Sequence, residues 1–154
     1  MIQRIQTIWL LLATVVILGL FIFPYLNYDL EDLGKKLFVT GEYSAVNNES
    51  VKQNILQTLG TIVVALVPLI TIFQFKNRKL QIKLIYLSIA LVVLLGVWMY
   101  FTATSTLQLI SQSFGANNIG VGFFLLPVAI ILLAMALGGI RKDEKLIRSA
   151  DRLR

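Results

Sequence analysis

Three stretches of this chain contain no charged side chain: Ile5 to Tyr28 (24 residues), Gln53 to Phe75 (23) and Leu84 to Ile140 (57). A bilayer core about 30 Å thick is crossed by about 20 apolar residues in a helix rising about 1.5 Å per residue. The first two stretches each fit one crossing. The third is too long for one, and the polar patch from Ser111 to Asn118 divides it. The expectation is an all-α integral membrane protein, a four-transmembrane-helix bundle with spans at about 5–24, 53–75, 84–106 and 119–140. All 154 residues form one membrane domain, with a long loop at 25–52 and a basic tail at 141–154.

Composition agrees. Only 14% of the residues are charged, where a soluble domain carries roughly 25%. Mean hydropathy is +0.80. The apolar runs are continuous, as in Leu91-Val92-Val93-Leu94-Leu95, so they are not the alternating strands of about 10 residues that build a membrane barrel. The first run lacks a small-residue cleavage site after it, since Phe21-Ile22-Phe23-Pro24-Tyr25 follows, and reads as a retained anchor.

Charge then orients the spans. The loop 25–52 carries a net −2, the short connection after span two +4, the tail +3, and the connection after span three nothing. Eleven of the 14 Lys and Arg fall on one side and three on the other. Basic loops stay cytoplasmic, so both termini are expected inside and the long loop outside. Aromatic rings favour the headgroup region. Trp9, Tyr25, Tyr28, Trp98 and Tyr100 stand toward the expected span ends.

The long loop is expected to be structured, because connections of this length rarely lie slack. Lys36–Thr40 and Tyr43–Val46 are rich in β-branched and aromatic residues, and Gly41-Glu42 between them suits a two-residue turn. A small β-hairpin follows. Ser50 with Gln53 reads as a capping box that opens helix two. The acidic run Asp29-Leu30-Glu31-Asp32 reads as a solvated loop rather than a cation site.

Much chemistry is excluded. The chain has no Cys and no His. Disulfides, thiolate or imidazole metal sites and His-based catalytic groups are therefore absent. No Asp, Glu, Lys or Arg falls within a span, so no Ser or Thr at membrane depth has a Lys or carboxylate to activate it, and the chain is expected not to be an enzyme and to need no cofactor. Basic charge spread over loops and tail, with no nucleic-acid module, gives no nucleic-acid partner.

Two residue sets remain as candidate sites. In the tail, Arg141, Lys142, Lys145, Leu146, Arg148, Arg152, Leu153 and Arg154 form a basic helix with an apolar side. Asp143 and Glu144 in its first turn suit its dipole, and such a helix is expected to lie on the anionic inner leaflet or to dock a membrane-protein partner. In the spans, Gln57, Thr58, Thr61 and Ser88 are candidate pore-lining residues, although interhelical hydrogen bonding is the commoner use of such side chains. Pro68 and Pro127 permit mid-span kinks. Ala134 and Gly138, with Gly139, form a small-x-x-x-small face, expected to pack within the chain and alternatively to allow self-association. The leading function is an accessory subunit or scaffold acting through the outer loop and the tail. The alternative is a small channel or transporter.

The two ends of the sequence carry a resemblance. Met1-Ile2-Gln3-Arg4-Ile5-Gln6-Thr7-Ile8-Trp9-Leu10-Leu11-Leu12-Ala13 opens the chain. Ile140-Arg141-Lys142-Asp143-Glu144-Lys145-Leu146-Ile147-Arg148-Ser149-Ala150-Asp151-Arg152-Leu153-Arg154 closes it. With four spans between them, the chain resembles the Bacteroidetes family catalogued as domain of unknown function 4293. The resemblance implies a bacterial inner-membrane protein and carries no activity or functional residues. The layout also looks like the claudin-type arrangement, an architectural analogy that does not fix function.

Overall fold

The computed structural model describes residues 2–30, 33–44, 49–75, 77–111 and 115–151; at 2–4, 30, 33, 116, 147, 148, 150 and 151 only the backbone course is described. Four helices dominate the described residues: α1 (Ile2–Leu18, closed by a short 3-10 turn Gly19–Phe21), α2 (Ile55–Phe73), α3 (Arg78–Leu109) and α4 (Val121–Asp151). Between α1 and α2 lie four strands, β1 (Leu26–Leu30), β2 (Leu33–Phe38), β3 (Gly41–Ser44) and β4 (Ser50–Gln53). They form one antiparallel sheet in the order β1-β2-β3-β4.

The helices close into a ring. α1 packs on α2 and α4, and α3 packs on the same two. Leu10, Ala13 and Ile17 of α1 meet Ala129, Leu133 and Ala136 of α4 in a fully buried core. Alanines on both sides let the two backbones approach. The outer surface is apolar as well: Ile8, Val15, Ile62, Leu94, Phe101, Phe124 and Ile131 are all exposed. A helix apolar all round belongs in a membrane or a large core. Three of the four, Ile55–Phe73, Arg78–Leu109 and Val121–Leu146, are long and apolar enough to cross a membrane, and Ile5–Phe21 is a shorter apolar helix. Pro68 and Pro127 lie inside helices that continue through them.

The sheet corrects the loop expectation. A hairpin is there, but its turn is Val39-Thr40, with Phe38 opposite Gly41, two residues earlier than Gly41-Glu42. Gly41 has φ 148° and its missing Cβ leaves room for the Lys52 carbonyl, so it serves strand approach rather than turn geometry. The capping box is overturned too. Ser50–Gln53 is strand β4, and α2 starts after Asn54, whose N–H donates to the Thr40 carbonyl at 2.9 Å. Pairing with β3 has claimed the backbone that a cap would have needed. Glu31 and Asp32 of the acidic run lie outside the described residues.

The sheet plugs one end of the bundle. Leu26 and Tyr28 of β1, Leu37 of β2 and Val39 after it point inward and are buried, as the two-residue period of strands requires. Tyr25 N donates to Leu37 O at 2.9 Å, and Thr58 Oγ1 of α2 donates to Val39 O at 3.2 Å. Leu26 also bridges Ile119 in the α3–α4 connection. Tyr25 and Tyr28 are thus core residues of this sheet end, not headgroup anchors. The opposite, tail end holds the start of α1, the α2–α3 turn and the last turns of α4.

The tail is the second correction. α4 runs without a break from Val121 to Asp151, about 46 Å at 1.5 Å per residue. No new helix begins at Arg141, so Asp143 and Glu144 face no helix N-terminus and the dipole reading falls away. Asp143 is buried and accepts from Gln6 Nε2 of α1 at 2.6 Å.

Candidate functional site

The tail end presents the basic residues on the outside of α4. Arg141 lies over the Tyr86 ring of α3, its Cζ 5.3 Å from the ring centroid, and its Nη2 also contacts the Tyr86 hydroxyl. This cation–π contact holds the guanidinium against the bundle. Beside it, Gly138, Arg141, Lys142, Glu144 and Lys145 line a groove of about 520 Å³. Leu146 follows and is exposed. Arg148 continues the helix, with only its backbone described, and Arg152, Leu153 and Arg154 lie outside the described residues.

Ala134 and Gly138 are both exposed, and a Cβ added at Gly138 would meet nothing within 4 Å. The expectation that this pair packs helix four on a neighbour is therefore overturned. Gly139, the third residue of that face, does pack on α1, against Gln6, on the side of α4 that also carries the buried Ala129 and Ala136. The Ala134–Gly138 face opens toward the basic groove one turn further on.

Of the candidate pore residues, Thr58, Thr61 and Ser88 donate their hydroxyls to backbone carbonyls. Thr61 Oγ1 donates to Gln57 O and Ser88 Oγ to Leu84 O, each at 2.9 Å. Thr58 Oγ1 donates to Asn54 O at 2.9 Å as well as to Val39 O. Gln57 is buried beneath the sheet, where its Oε1 accepts from the Tyr25 hydroxyl at 3.4 Å. Burial pushes the Tyr25 hydroxyl far above its ordinary range, and nearby Glu42 and Tyr28 reinforce this against the Gln57 contact. Burial and then Glu42 do the same to Tyr28. Both phenols stay neutral at ordinary pH.

Gln6, Arg78 and the buried carboxylate of Asp143 were not legible as site residues. Gln6 and Asp143 stand 137 positions apart, and no local pattern announces their contact. Among the described residues no group of three or more carboxylates could hold a metal ion.

A ring of four helices with an apolar outer surface, three of them long enough to cross a bilayer, defines the class of membrane-helix proteins with a sheet inserted in one connection. Within that class, the chain belongs to the family described as domain of unknown function DUF4293, whose model matches residues 2–153. No curated protein matches the chain, and no solved structure matches it.

Proposed function

We propose that this is a non-enzymatic, four-span protein of a bacterial inner membrane, with both termini and the α2–α3 turn in the cytoplasm and the sheet outside. It acts as an accessory subunit or scaffold, with the sheet as its outer contact surface and the basic end of α4 as its inner one. The observation that carries this reading is the pair of built, non-membrane surfaces at opposite ends of an apolar bundle. At one end a four-stranded sheet is fastened to α2 and to the α3–α4 connection. At the other, Arg141, Lys142 and Lys145 line an open groove. Basic grooves at the inner end of a span attract anionic lipid headgroups, each basic residue adding about 1 kcal/mol. The sheet in the first connection supports the claudin-type layout, from which no activity is carried over.

A periplasmic-active reporter fused after Arg154 is expected to be silent and a cytoplasm-active one to work; the reverse overturns the orientation. In-cell crosslinking followed by mass spectrometry tests the scaffold. A stoichiometric partner is expected, lost or weakened in Lys142→Glu/Lys145→Glu. A protein recovered only with lipid and itself, with solute flux in proteoliposomes, would favour the channel reading.

A further inference from the structure

Three side chains bury a polar atom that has no partner among the described residues: Gln57 through Nε2, Arg78 through Nη1 and Asp143 through Oδ1. Two of these, of opposite charge, meet at the tail end. Arg78 opens α3 and Asp143 lies in α4, and both line a cavity of about 20 Å³ together with Gln6, Thr7, Phe75, Gln81 and Ile140. A single water needs roughly 10–15 Å³ and at least two polar partners.

Two of the neighbouring amide donors are already engaged. Gln6 Nε2 is engaged by the other oxygen of Asp143 at 2.6 Å, and Gln81 Nε2 donates to the Thr71 carbonyl at 3.3 Å. A buried charge left unmatched is strongly unfavourable, whereas one that is paired and hydrogen-bonded is tolerated. A cation in the cavity would face the guanidinium, and an anion would face the carboxylate. A water molecule can accept from the one and donate to the other.

We infer that this cavity is a hydration site in which one water accepts from Arg78 Nη1 and donates to Asp143 Oδ1. The resulting water-mediated ion pair fastens the tail end of the bundle. Gln6 brings in α1, Gln81 reaches the Thr71 carbonyl of α2, Arg78 belongs to α3 and Asp143 to α4. The clamp also sets the rotation of α4. At 3.6 residues per turn, Arg141 and Lys145 stand about 160° around the helix from Asp143. Holding Asp143 inward therefore turns both cations outward, where they are exposed.

The test uses the full chain in lipid nanodiscs. A structure at a resolution that orders water is expected to place one water within about 2.7–3.2 Å of both atoms. A dry cavity, or direct contact between the two side chains, would overturn the inference. Amide exchange at the start of α1 and over residues 141–151 gives the energetic arm. Arg78→Met and Asp143→Leu are each expected to speed it by about a hundredfold, and the double variant to return to within about tenfold of the parent. Losses that simply add in the double variant would overturn it. Should the single variants fail to fold, a double variant that also fails counts against it.

Discussion

The two ends of the bundle are closed by different means. At the sheet end the fastening is mostly backbone. The N–H groups of Gly120 and Gly122, at the start of α4, donate to the carbonyls of Tyr25 and Pro24 at 2.9 and 2.8 Å. This caps orphan donors of the helix with another strand of chain. At the tail end side chains do the fastening: Gln6 to Asp143 and Arg141 to Tyr86 side chain to side chain, and Gln81 Nε2 to the Thr71 backbone carbonyl. Backbone closure tolerates changes of side chain but demands close approach. Side-chain closure tolerates backbone adjustment but demands matched charges. Each end should therefore break under a different kind of substitution.

The largest effect is expected where close approach is absolute. A Cβ at Gly120 would fall on the Pro24 carbonyl. Gly120→Ala should cost about 3 kcal/mol, read as a fall in the thermal midpoint in detergent. A change within error would mean the crossing at this end is loose. Gln6→Leu comes next. It leaves the buried Asp143 without its described donor and should cost about 2 kcal/mol. Gln6→Glu should be worse than Gln6→Leu, because it sets two carboxylates together; the opposite order would break the charge-matching distinction.

Tyr25→Phe should cost about 1 kcal/mol for its hydroxyl contact with Gln57. It also carries a pH signature. Both Tyr25 and Tyr28 hold their protons more tightly folded than unfolded. The stability this gives is full below about pH 10, the unfolded value, and is lost as pH rises through the folded ones. Unfolding followed from pH 8 to 11 should show an alkaline decline in the parent that is shallower in Tyr25→Phe. Equal slopes would place the titration elsewhere. The smallest effect is expected from Arg141→Leu, under about 1 kcal/mol, since its ring contact is partly solvated. That variant should instead weaken retention on anionic over zwitterionic vesicles.

The same contrast explains what the sequence made legible. Charge-free runs mark the four helices, because a run without charges is local and needs no partner to be recognised. The hairpin is legible from its β-branched and aromatic content, though its turn shifts two residues once Gly41 is needed opposite β4. Strands β1 and β4 escaped. Leu26–Leu30 looks like the end of an apolar span, and Ser50–Gln53 imitates a helix cap. The basic face of α4 is legible as composition. The clamp is not, since Asp143 sits among tail charges that look solvated and its partners come from other helices. Ala134 and Gly138 teach the same lesson in reverse: a local motif for close packing ends on an open face because the ring offers α4 its neighbours on another side.

Orientation is the claim on which the inner and outer roles rest, and the chain's lack of cysteine makes it directly measurable. Single cysteines at Val51→Cys in β4 and Lys145→Cys in α4, both exposed positions, would be treated with a membrane-impermeant maleimide in intact spheroplasts. Labelling at position 51 alone, with position 145 reacting only after permeabilisation, is the predicted result. Labelling at 145 in intact cells, or at both positions, would contradict it.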